Sequence, residues 1–354
     1  MNFRKLGLLS TILACNVTFA QSSVTLYGVV DQSLRYTTNS DSKNNGVVQL
    51  TNGAMNNSRW GMKGSEDLGK NLTAIFQLEN GFDPQTGRMD NSGRLFGRYA
   101  YVGLQSELGT LQLGRQPSEG FYFFGYLDPL TVGNYTANQW PYFLTQGWFD
   151  NVARYYVSIG NLEIGGSYGF GQQPGQFSAN SSWGIHSKYT VSGLTIGAVY
   201  QNARNAQARP QQMWGLAATY VVGAATLSLG YIGGEDKSGV VDSFLNDPSK
   251  NVTPGSFSKA PRKDAIGYTG ISYQFSPAIS ATGAFYYDKA KDVNGYNGNS
   301  GTRYTAVLLV DYSLSKSTTL YGTVDFNKVS GGNDAELPGK NNQTGVAIGL
   351  QHRF

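Results

Sequence analysis

The stretch that decides the fold is residues 301–327, GTRYTAVLLVDYSLSKSTTLYGTVDFN, in which apolar and polar side chains alternate on both sides of a short polar turn. In its first half, even positions carry Leu308 and Tyr312, whereas Arg303 and Asp311 stand at odd positions. Successive side chains of a β-strand point to opposite faces, so this pattern gives a strand one apolar and one polar face. The stretch predicts two antiparallel strands joined by a tight turn.

The same alternation recurs along the whole chain after its first residues. Near the start, Leu26, Val30 and Leu34 form one apolar face, and the last ten residues, 345–354, repeat the pattern. A soluble β-sandwich also alternates, but its connections need not differ systematically in length, as they do here.

The connections between the predicted strands fall into two sets. One consists of short turns, at residues 66–70, 107–109, 160–161, 192–193, 223–224, 276–277 and 315–317. The other consists of long loops rich in Asn, Gly, Ser and Asp, at roughly residues 37–57, 83–97, 116–150, 171–182, 202–211, 233–262, 288–302 and 328–343. Seven turns and eight loops join sixteen strands, with both termini on the side of the turns, as a closed barrel with an even strand number requires. We predict one all-β domain, residues 21–354: a 16-stranded antiparallel transmembrane β-barrel with short periplasmic turns and long extracellular loops.

The first twenty residues have the features of a secretory signal peptide. Two basic residues precede an apolar run at 6–14, which is shorter than the ~20 residues that span a bilayer. We predict cleavage after Ala20, before Gln21. Cys15 is the only cysteine of the chain, and lipid attachment at Cys15 is the alternative. Cleavage after Ala20 would leave a mature chain without cysteine, which excludes disulfides and thiol catalysis.

Composition excludes several classes of protein. Only 14% of the residues are charged, and after the signal no run approaches the ~18 apolar residues of a membrane helix. Removing Arg4 and Lys5 from a net charge of +4 leaves +2, which argues against nucleic-acid binding. The only histidines, His186 and His352, accompany no nucleophile motif and have no ligand spacing, so neither an enzyme nor a metal or cofactor site is predicted.

Five segments resemble the general porins of Gram-negative bacteria, in particular their β-proteobacterial branch. They are SSVTLYGVVD, SRWGMKGSEDLGKNLTAIFQLENGF, GRLFGRYAYVGLQSELGTLQLGRQ, DYSLSKSTTLYGTVDF and the terminal GLQHRF. The resemblance covers the mature chain and implies an outer-membrane homotrimer with one pore per subunit, surrounded by outer-membrane lipid and lipopolysaccharide. It also implies a third loop that folds into the barrel and narrows it.

Charged strand residues are expected to face the lumen, because Arg or Lys on the lipid face at mid-bilayer costs roughly 2–4 kcal/mol. By the resemblance, Arg59, Arg98 and Arg154 stand where basic residues line the constriction, and Glu79 matches an acidic residue of the same wall. Lys63 shares the face of Arg59.

Further charges are candidates for the pore. Asp31 and Arg35 share the inward face of the first strand. In the third loop, Glu119 and Asp128 are the acids expected to oppose the basic wall, although the loop departs from the PEFGG pattern of enteric relatives, which leaves open which of them does so. Arg115 falls on the lipid-facing side near a strand end, where a trimer contact or an outward orientation is expected.

The aromatic residues near strand ends allow two interpretations, interfacial girdles or the ordinary preference of strands for aromatic side chains. Many lie near strand ends and are typical of interfacial girdles: Tyr36, Trp60, Phe82, Tyr99, Tyr101, Tyr168, Trp183, Tyr200, Trp214, Tyr220, Tyr231, Tyr273, Tyr287 and Tyr312. The terminal Phe354 resembles a barrel assembly signal.

We predict passive diffusion of small polar solutes and ions with a mild anion preference. The alternative is a channel specific for sugars or organic acids, guided by the aromatic residues of the third loop.

Overall fold

A computed structural model describes residues 22–133, 135 and 137–354. The predicted signal peptide, its cleavage site and Cys15 lie outside the described residues. Within them, seventeen antiparallel strands form one sheet. The strands are β1 (Ser22–Thr37), β2 (Val47–Asn52), β3 (Arg59–Gly69), β4 (Leu72–Gly81), β5 (Tyr99–Ser106), β6 (Gly109–Pro117), β7 (Trp148–Ile159), β8 (Leu162–Gly169), β9 (Ser182–Val191), β10 (Leu194–Arg204), β11 (Pro210–Val222), β12 (Ala225–Asp236), β13 (Arg262–Ser276), β14 (Ile279–Ala290), β15 (Gly301–Ser313), β16 (Thr318–Gly331) and β17 (Asn342–Arg353).

Helical segments lie in the connections at one end of the sheet or inside it. They are Asp90–Gly93, Glu119–Leu127 and Val240–Leu245, with 3₁₀ turns at Trp140–Thr145, Pro248–Lys250, Val293–Gly295 and Gly332–Glu336. In the described part of the chain, no helix has the length and apolar character needed to cross a membrane.

Two of the strands are halves of one barrel strand. Residues 32–37 of β1 pair with β2, and residues 22–29 of β1 pair with β3, so β2 and β3 follow each other along the same neighbour. The barrel therefore has sixteen strands, as predicted. The prediction of a loop over 37–57 is wrong for Val47–Asn52, in which Val48 and Leu50 point outward within an otherwise Asn- and Gly-rich stretch.

The barrel closes where its first strand meets its last. Residues 29–37 of β1 pair with residues 345–353 of β17. Beyond this ladder, the backbone amides of Gly28 and Phe354 each donate to the other's carbonyl, at 3.0 and 3.1 Å. Because β1 also pairs with β3, the sheet has no free edge, which satisfies the backbone of a strand protein in lipid.

The two faces of the sheet have the predicted character. Leu308 and Val310 are exposed on the outer face, whereas Thr305 and Asp325 are buried in the interior. The girdle prediction is wrong for Tyr99 and Tyr101. On β5 the residues exposed on the outer face are Val102 and Leu104, so the two tyrosines point inward, where the hydroxyl of Tyr101 donates to Gln77 Oε1.

Candidate functional site: the neck of the barrel

The third loop, residues 118–147, folds into the barrel through the helix Glu119–Leu127. The helix begins where the Ser118 hydroxyl oxygen accepts a hydrogen bond from the Phe121 amide at 3.0 Å. Ser118 also donates to the Thr145 carbonyl at 2.8 Å, which joins the two ends of the loop. An N-cap of this kind satisfies one of the free amides of a first helical turn.

Glycines on the inner face of the wall make room for this helix. Its buried side carries Phe123 and Leu127. A Cβ atom at Gly215 would lie 2.6 Å from the Phe123 ring, and one at Gly197 would lie 2.6 Å from Leu127. This feature was not predicted from the sequence, where its signal is the glycines at inward-facing positions of neighbouring strands.

Asp128 fastens the end of the helix to the barrel wall. Its Oδ1 accepts a hydrogen bond from the Tyr286 hydroxyl at 2.5 Å, and its Oδ2 accepts one from the Val132 amide at 2.8 Å. Burial raises the pKa of Asp128 to about 6. The expectation that Asp128 opposes the basic wall is therefore corrected, because its two oxygens are used by β14 and by its own loop.

Arg154 and Glu119 meet behind the helix. Arg154 Nε donates to Glu119 Oε1 at 2.9 Å, and Glu119 Oε2 lies 2.6 Å from His186 Nδ1. The Arg154 guanidinium lies 4.1 and 4.5 Å from the ring centres of Tyr122 and Tyr156. Burial raises the pKa of Glu119, but the hydrogen bond with His186 and the charge of Arg154 outweigh burial and lower it overall.

This position corrects the expectation for Arg154. The residue points inward, as predicted, but the helix covers it, and its side chain is only 6% exposed. Arg154 therefore holds the start of the helix and does not stand at the open neck.

Arg59, Arg98 and Glu79 form the charged wall of the neck. Arg98 Nε donates to Glu79 Oε1 at 2.6 Å, and Arg59 Nε lies 3.8 Å from Glu79 Oε2. The Tyr27 hydroxyl also donates to Glu79 Oε2, at 2.8 Å. Side-chain exposure is 27% for Arg59 and 4% for Glu79, so within this wall water meets the cation more than the anion.

A cavity of about 620 Å³ separates this wall from the third loop. Arg59 and Arg98 line one side, and Phe121, Tyr122 and Tyr126 of the helix line the other. The third loop contains only two carboxylates, Glu119 and Asp128, and both are bonded elsewhere. Two carboxylates line the cavity, Glu79 of the wall and Asp90 of the second loop.

The aromatic side chains around the neck pack against one another and against cations. Trp148 lies 4.8 Å from Phe121, centre to centre, and the Arg98 guanidinium lies 4.6 Å from the Trp148 ring. Tyr126 is exposed, but the Lys188 ammonium lies 4.3 Å from its ring centre. This packing fixes the orientation of the rings, which also line the cavity.

Asp31 and Arg35 lie inside the barrel but serve the wall. Asp31 is fully buried and accepts hydrogen bonds from the Tyr321 hydroxyl at 2.7 Å and from Gln351 Nε2 at 2.9 Å. Arg35 Nη1 lies 2.7 Å from Asp325 Oδ2. The expectation that Asp31 stands at the constriction is corrected, because its carboxylate bonds to neighbouring strands around the closure.

Lys63 and Arg115 have different surroundings. Lys63 is exposed inside the barrel, with its ammonium 5.6 Å from the Tyr27 ring centre. Arg115 lies at a bulge between Gly114 and Gln116, where its Nη1 contacts Asp150 Oδ1 at 2.7 Å.

Asp150 also binds Arg94, at 2.9 Å. It therefore ties the second loop to the strands that flank the third loop. These contacts are consistent with a residue that closes a loop. Asp150 is not among the residues that line the neck.

Known proteins share this architecture. The sequence model of the Gram-negative porin family matches residues 7–332. An outer membrane porin protein of Bordetella pertussis is 30% identical, with 95% of each chain covered, and outer membrane porin protein 32 of Delftia acidovorans is 26% identical, with 98% of each covered.

Solved structures agree on the fold. An anion-selective porin from Comamonas acidovorans superposes with a TM-score of 0.77 at 22% identity, covering 94% of this chain and 100% of that one. OmpT of Vibrio cholerae gives a TM-score of 0.69 at 13% identity, covering 94% and 98%. The relatives are channels of the outer membrane and not enzymes. The chain belongs to the Gram-negative porin family and is a β-barrel porin of the bacterial outer membrane.

Proposed function

We propose that this porin passes small hydrophilic solutes and ions by passive diffusion through a water-filled neck, with a mild preference for anions. The observation that supports the anion preference is the unequal exposure of Arg59 and Glu79, 27% against 4%, in a neck that no third-loop carboxylate faces. The Comamonas acidovorans structure of the same fold is described as anion-selective, in agreement with this proposal.

The preference should be small. A single charge about 8 Å from a passing ion is worth only ~0.5 kcal/mol at the dielectric constant of water. Glu79 lies within 4 Å of both arginines and offsets part of their charge. Salt screens what is left, since the Debye length at 0.1 M is about 10 Å. The result is a bias between ions and not a strict filter.

The proposal includes the surroundings of the barrel. OmpT of Vibrio cholerae has been solved in a trimer form with a TM-score of 0.67 to this chain, which supports a homotrimer with one pore per subunit. Export would remove residues 1–20 and leave the single barrel domain 21–354, set in outer-membrane lipid and lipopolysaccharide. Phe354 would act as the signal for barrel assembly.

The mutual packing of aromatic rings in the neck argues against the alternative of a solute-specific channel. Phe121, Tyr142 and Trp148 pack edge-to-face or tilted against one another, at 4.8 to 6.3 Å between ring centres. An aromatic track for a sugar needs free ring faces along the path. Saturable flux of one sugar or organic acid would nevertheless favour this alternative.

The experiment is conductance of the refolded protein in planar bilayers, with the reversal potential measured across a KCl gradient. We expect insertion in steps of three and a small preference for chloride. Arg59→Gln should move the reversal potential toward potassium, because it removes the most exposed positive charge among the neck residues of the wall. Arg209→Gln, in an exposed loop, is the matched control and should change nothing. Equal potentials for all three proteins would overturn the role of Arg59, and absence of conductance would overturn the pore itself.

A further inference from the structure

His186 lies on the inner face of β9, where its ring faces the first turn of the third-loop helix. Its side chain is only 7% exposed. The neighbouring strand β8 makes room for the ring with Gly165, because any Cβ there would collide with His186 Cε1. The other histidine of the chain, His352, is exposed, and its Nδ1 lies 2.9 Å from the Thr318 hydroxyl. The two imidazoles therefore have very different surroundings.

Both ring nitrogens of His186 face carboxylates. Nδ1 lies 2.6 Å from Glu119 Oε2, and Nε2 lies 3.4 Å from Glu163 Oε1. An ionised carboxylate only accepts hydrogen bonds, and a neutral imidazole has a single N–H. The imidazolium alone can donate toward both carboxylates at once. The geometry therefore fits the protonated ring.

Each of these carboxylates also contacts a fixed cation. Glu119 Oε1 accepts a hydrogen bond from Arg154 Nε at 2.9 Å, and Glu163 Oε1 lies 3.1 Å from Lys188 Nζ. Arg154 and Lys188 already balance the two negative charges. His186 can therefore lose its proton without leaving a carboxylate that has no cation beside it.

The remaining polar groups around the ring are phenols. Tyr122 and Tyr126 of the helix line a small cavity together with His186, and Tyr156 of β7 packs beside the same Gly165. Phenols ordinarily titrate near pH 10, lysine near 10.4 and glutamate near 4.3, whereas imidazole titrates near 6.5. Among the described groups that face the ring, His186 is thus the one whose ordinary titration range falls near neutral pH.

We propose that His186 is a positioning residue for the third-loop helix, which its imidazolium holds against β9 through Glu119. This inference rests on the proposed function insofar as the helix shapes a diffusion pore. When the pH rises and the proton passes to water, the neutral ring can donate to only one carboxylate. It also loses the added strength of a hydrogen bond between two charged groups. The start of the helix should then loosen, and the pore should close more often.

The protonation is measured first, by nitrogen NMR of the refolded full barrel with isotope-labelled histidine. His352→Gln assigns the two signals. We expect both ring nitrogens of His186 to carry a proton at pH 5.5 and only one to carry a proton at pH 9. A ring that keeps one protonation state over this whole range would overturn the proposal.

The position of the helix is then measured by amide hydrogen exchange in residues 118–127, corrected for intrinsic rate, and by the frequency of closures in planar bilayers. In wild type both should rise at least threefold between pH 5.5 and pH 9. His186→Gln, a neutral donor at every pH, should already show the pH 9 values at pH 5.5 and should not change with pH. His352→Gln is the matched control and should follow wild type. Heat-modifiable migration on gels shows that each variant is folded.

Two further outcomes would overturn the proposal. An equal dependence on pH in His186→Gln would assign the effect to another group. Exchange that stays constant in wild type while His186 loses its proton would show that the ring does not position the helix. Absence of conductance in every protein would overturn the proposed pore instead, and the exchange data would still decide whether His186 holds the helix.

Discussion

Glu79 is the carboxylate that sets how much positive charge the neck shows to a passing ion. Its two oxygens lie 2.6 Å from Arg98 Nε and 3.8 Å from Arg59 Nε. Glu79→Gln keeps the shape of the side chain and removes its charge, so we expect the reversal potential in a KCl gradient to move further toward chloride. This is the opposite direction from Arg59→Gln. Glu66→Gln, at an exposed position near the end of β3, should leave the potential unchanged.

A shift toward potassium in Glu79→Gln would contradict this view. It would mean that Arg98, released from its partner, leaves the pore and takes its charge with it. Single-channel conductance separates the two cases, because a reoriented guanidinium changes the open area of the neck as well as its charge.

Inward orientation of single residues could be predicted from sequence, but their openness to water could not. The cost of a charge in lipid correctly turns Arg59, Glu79 and Arg154 toward the interior. Whether such a charge stands in the open neck depends on what covers it, and Arg154 is covered by a helix that begins 35 residues earlier in the chain. The parity of a strand contains no information about that long-range contact.

At the scale of elements, the seat of the third-loop helix depends on glycine. Gly215→Ala would place a Cβ 2.6 Å from the ring of Phe123, which is buried, and 3.2 Å from Val199 of the neighbouring strand. Overpacking of this kind costs about 1–3 kcal/mol. We expect the helix to move toward the pore, so single-channel conductance should fall. Gly267→Ala, with no atom within 4 Å of the added Cβ, is the control.

If Gly215→Ala and Gly267→Ala conduct equally, the helix does not depend on this seat. A lower temperature of heat dissociation on gels, with conductance unchanged, would show strain taken up by the wall instead.

Another element-scale contact joins two of the long loops. Arg262 is fully buried and lies 2.7 Å from Asp242, 2.9 Å from Asp264 and 2.9 Å from Glu336. Asp242 belongs to the loop between β12 and β13, and Glu336 to the loop between β16 and β17. One guanidinium thus joins two loops to the wall.

This lock, the ion pairs of Arg262 with Asp242, Asp264 and Glu336, should still hold the two loops in mild acid. Burial raises the pKa of Asp242 from 3.8 to about 6, so its stabilising contribution increases as pH falls through 6 and is complete below 3.8. Burial also raises the pKa of Glu336, but the charges of Arg262 and Arg303 outweigh burial and lower this pKa below 4.5. The contribution of Glu336 to stability is therefore complete above pH 4.5 and is lost only as the pH falls below that value. We expect amide hydrogen exchange in residues 237–261, corrected for intrinsic rate, to be no faster at pH 5 than at pH 7.5.

The variant Arg262→Ala shows whether the lock exists. It leaves buried carboxylates without their cation, which costs about 3–5 kcal/mol. Exchange in residues 237–261 should then rise at both pH values. Faster exchange at pH 5 in the wild type would instead identify an acid-released lock.

At the scale of the whole molecule, strand number could be predicted from sequence because long and short connections alternate regularly. The split of one barrel strand into β2 and β3 could not, since Val47–Asn52 is short and lies among Asn and Gly residues typical of loops. Pairing of this segment depends on β1, whose ladder spans both halves. Partner-dependent strands of this kind carry little signal of their own.

Among the described residues, closure of the barrel is the contact with the largest sequence separation, and it joins residues 28 and 354. We expect such a contact to form late in folding, because the entropy of closing the whole chain is lost before the contact stabilises it. The ring of Phe354 packs over Gly28, where any Cβ would collide with it. Phe354 thus has a structural role in addition to its proposed role as an assembly signal.

The two roles of Phe354 predict different results in cells and in detergent. If the residue is an assembly signal, Phe354→Ala should lower the amount of barrel in the outer membrane several-fold while refolding yield in detergent stays near wild type, because no assembly machinery acts there. Phe354→Tyr, which keeps the ring over Gly28, should behave as wild type in both assays. Heat-modifiable migration on gels measures folded barrel in each case. An equal loss in detergent and in cells would mean that Phe354 acts only by packing at the closure.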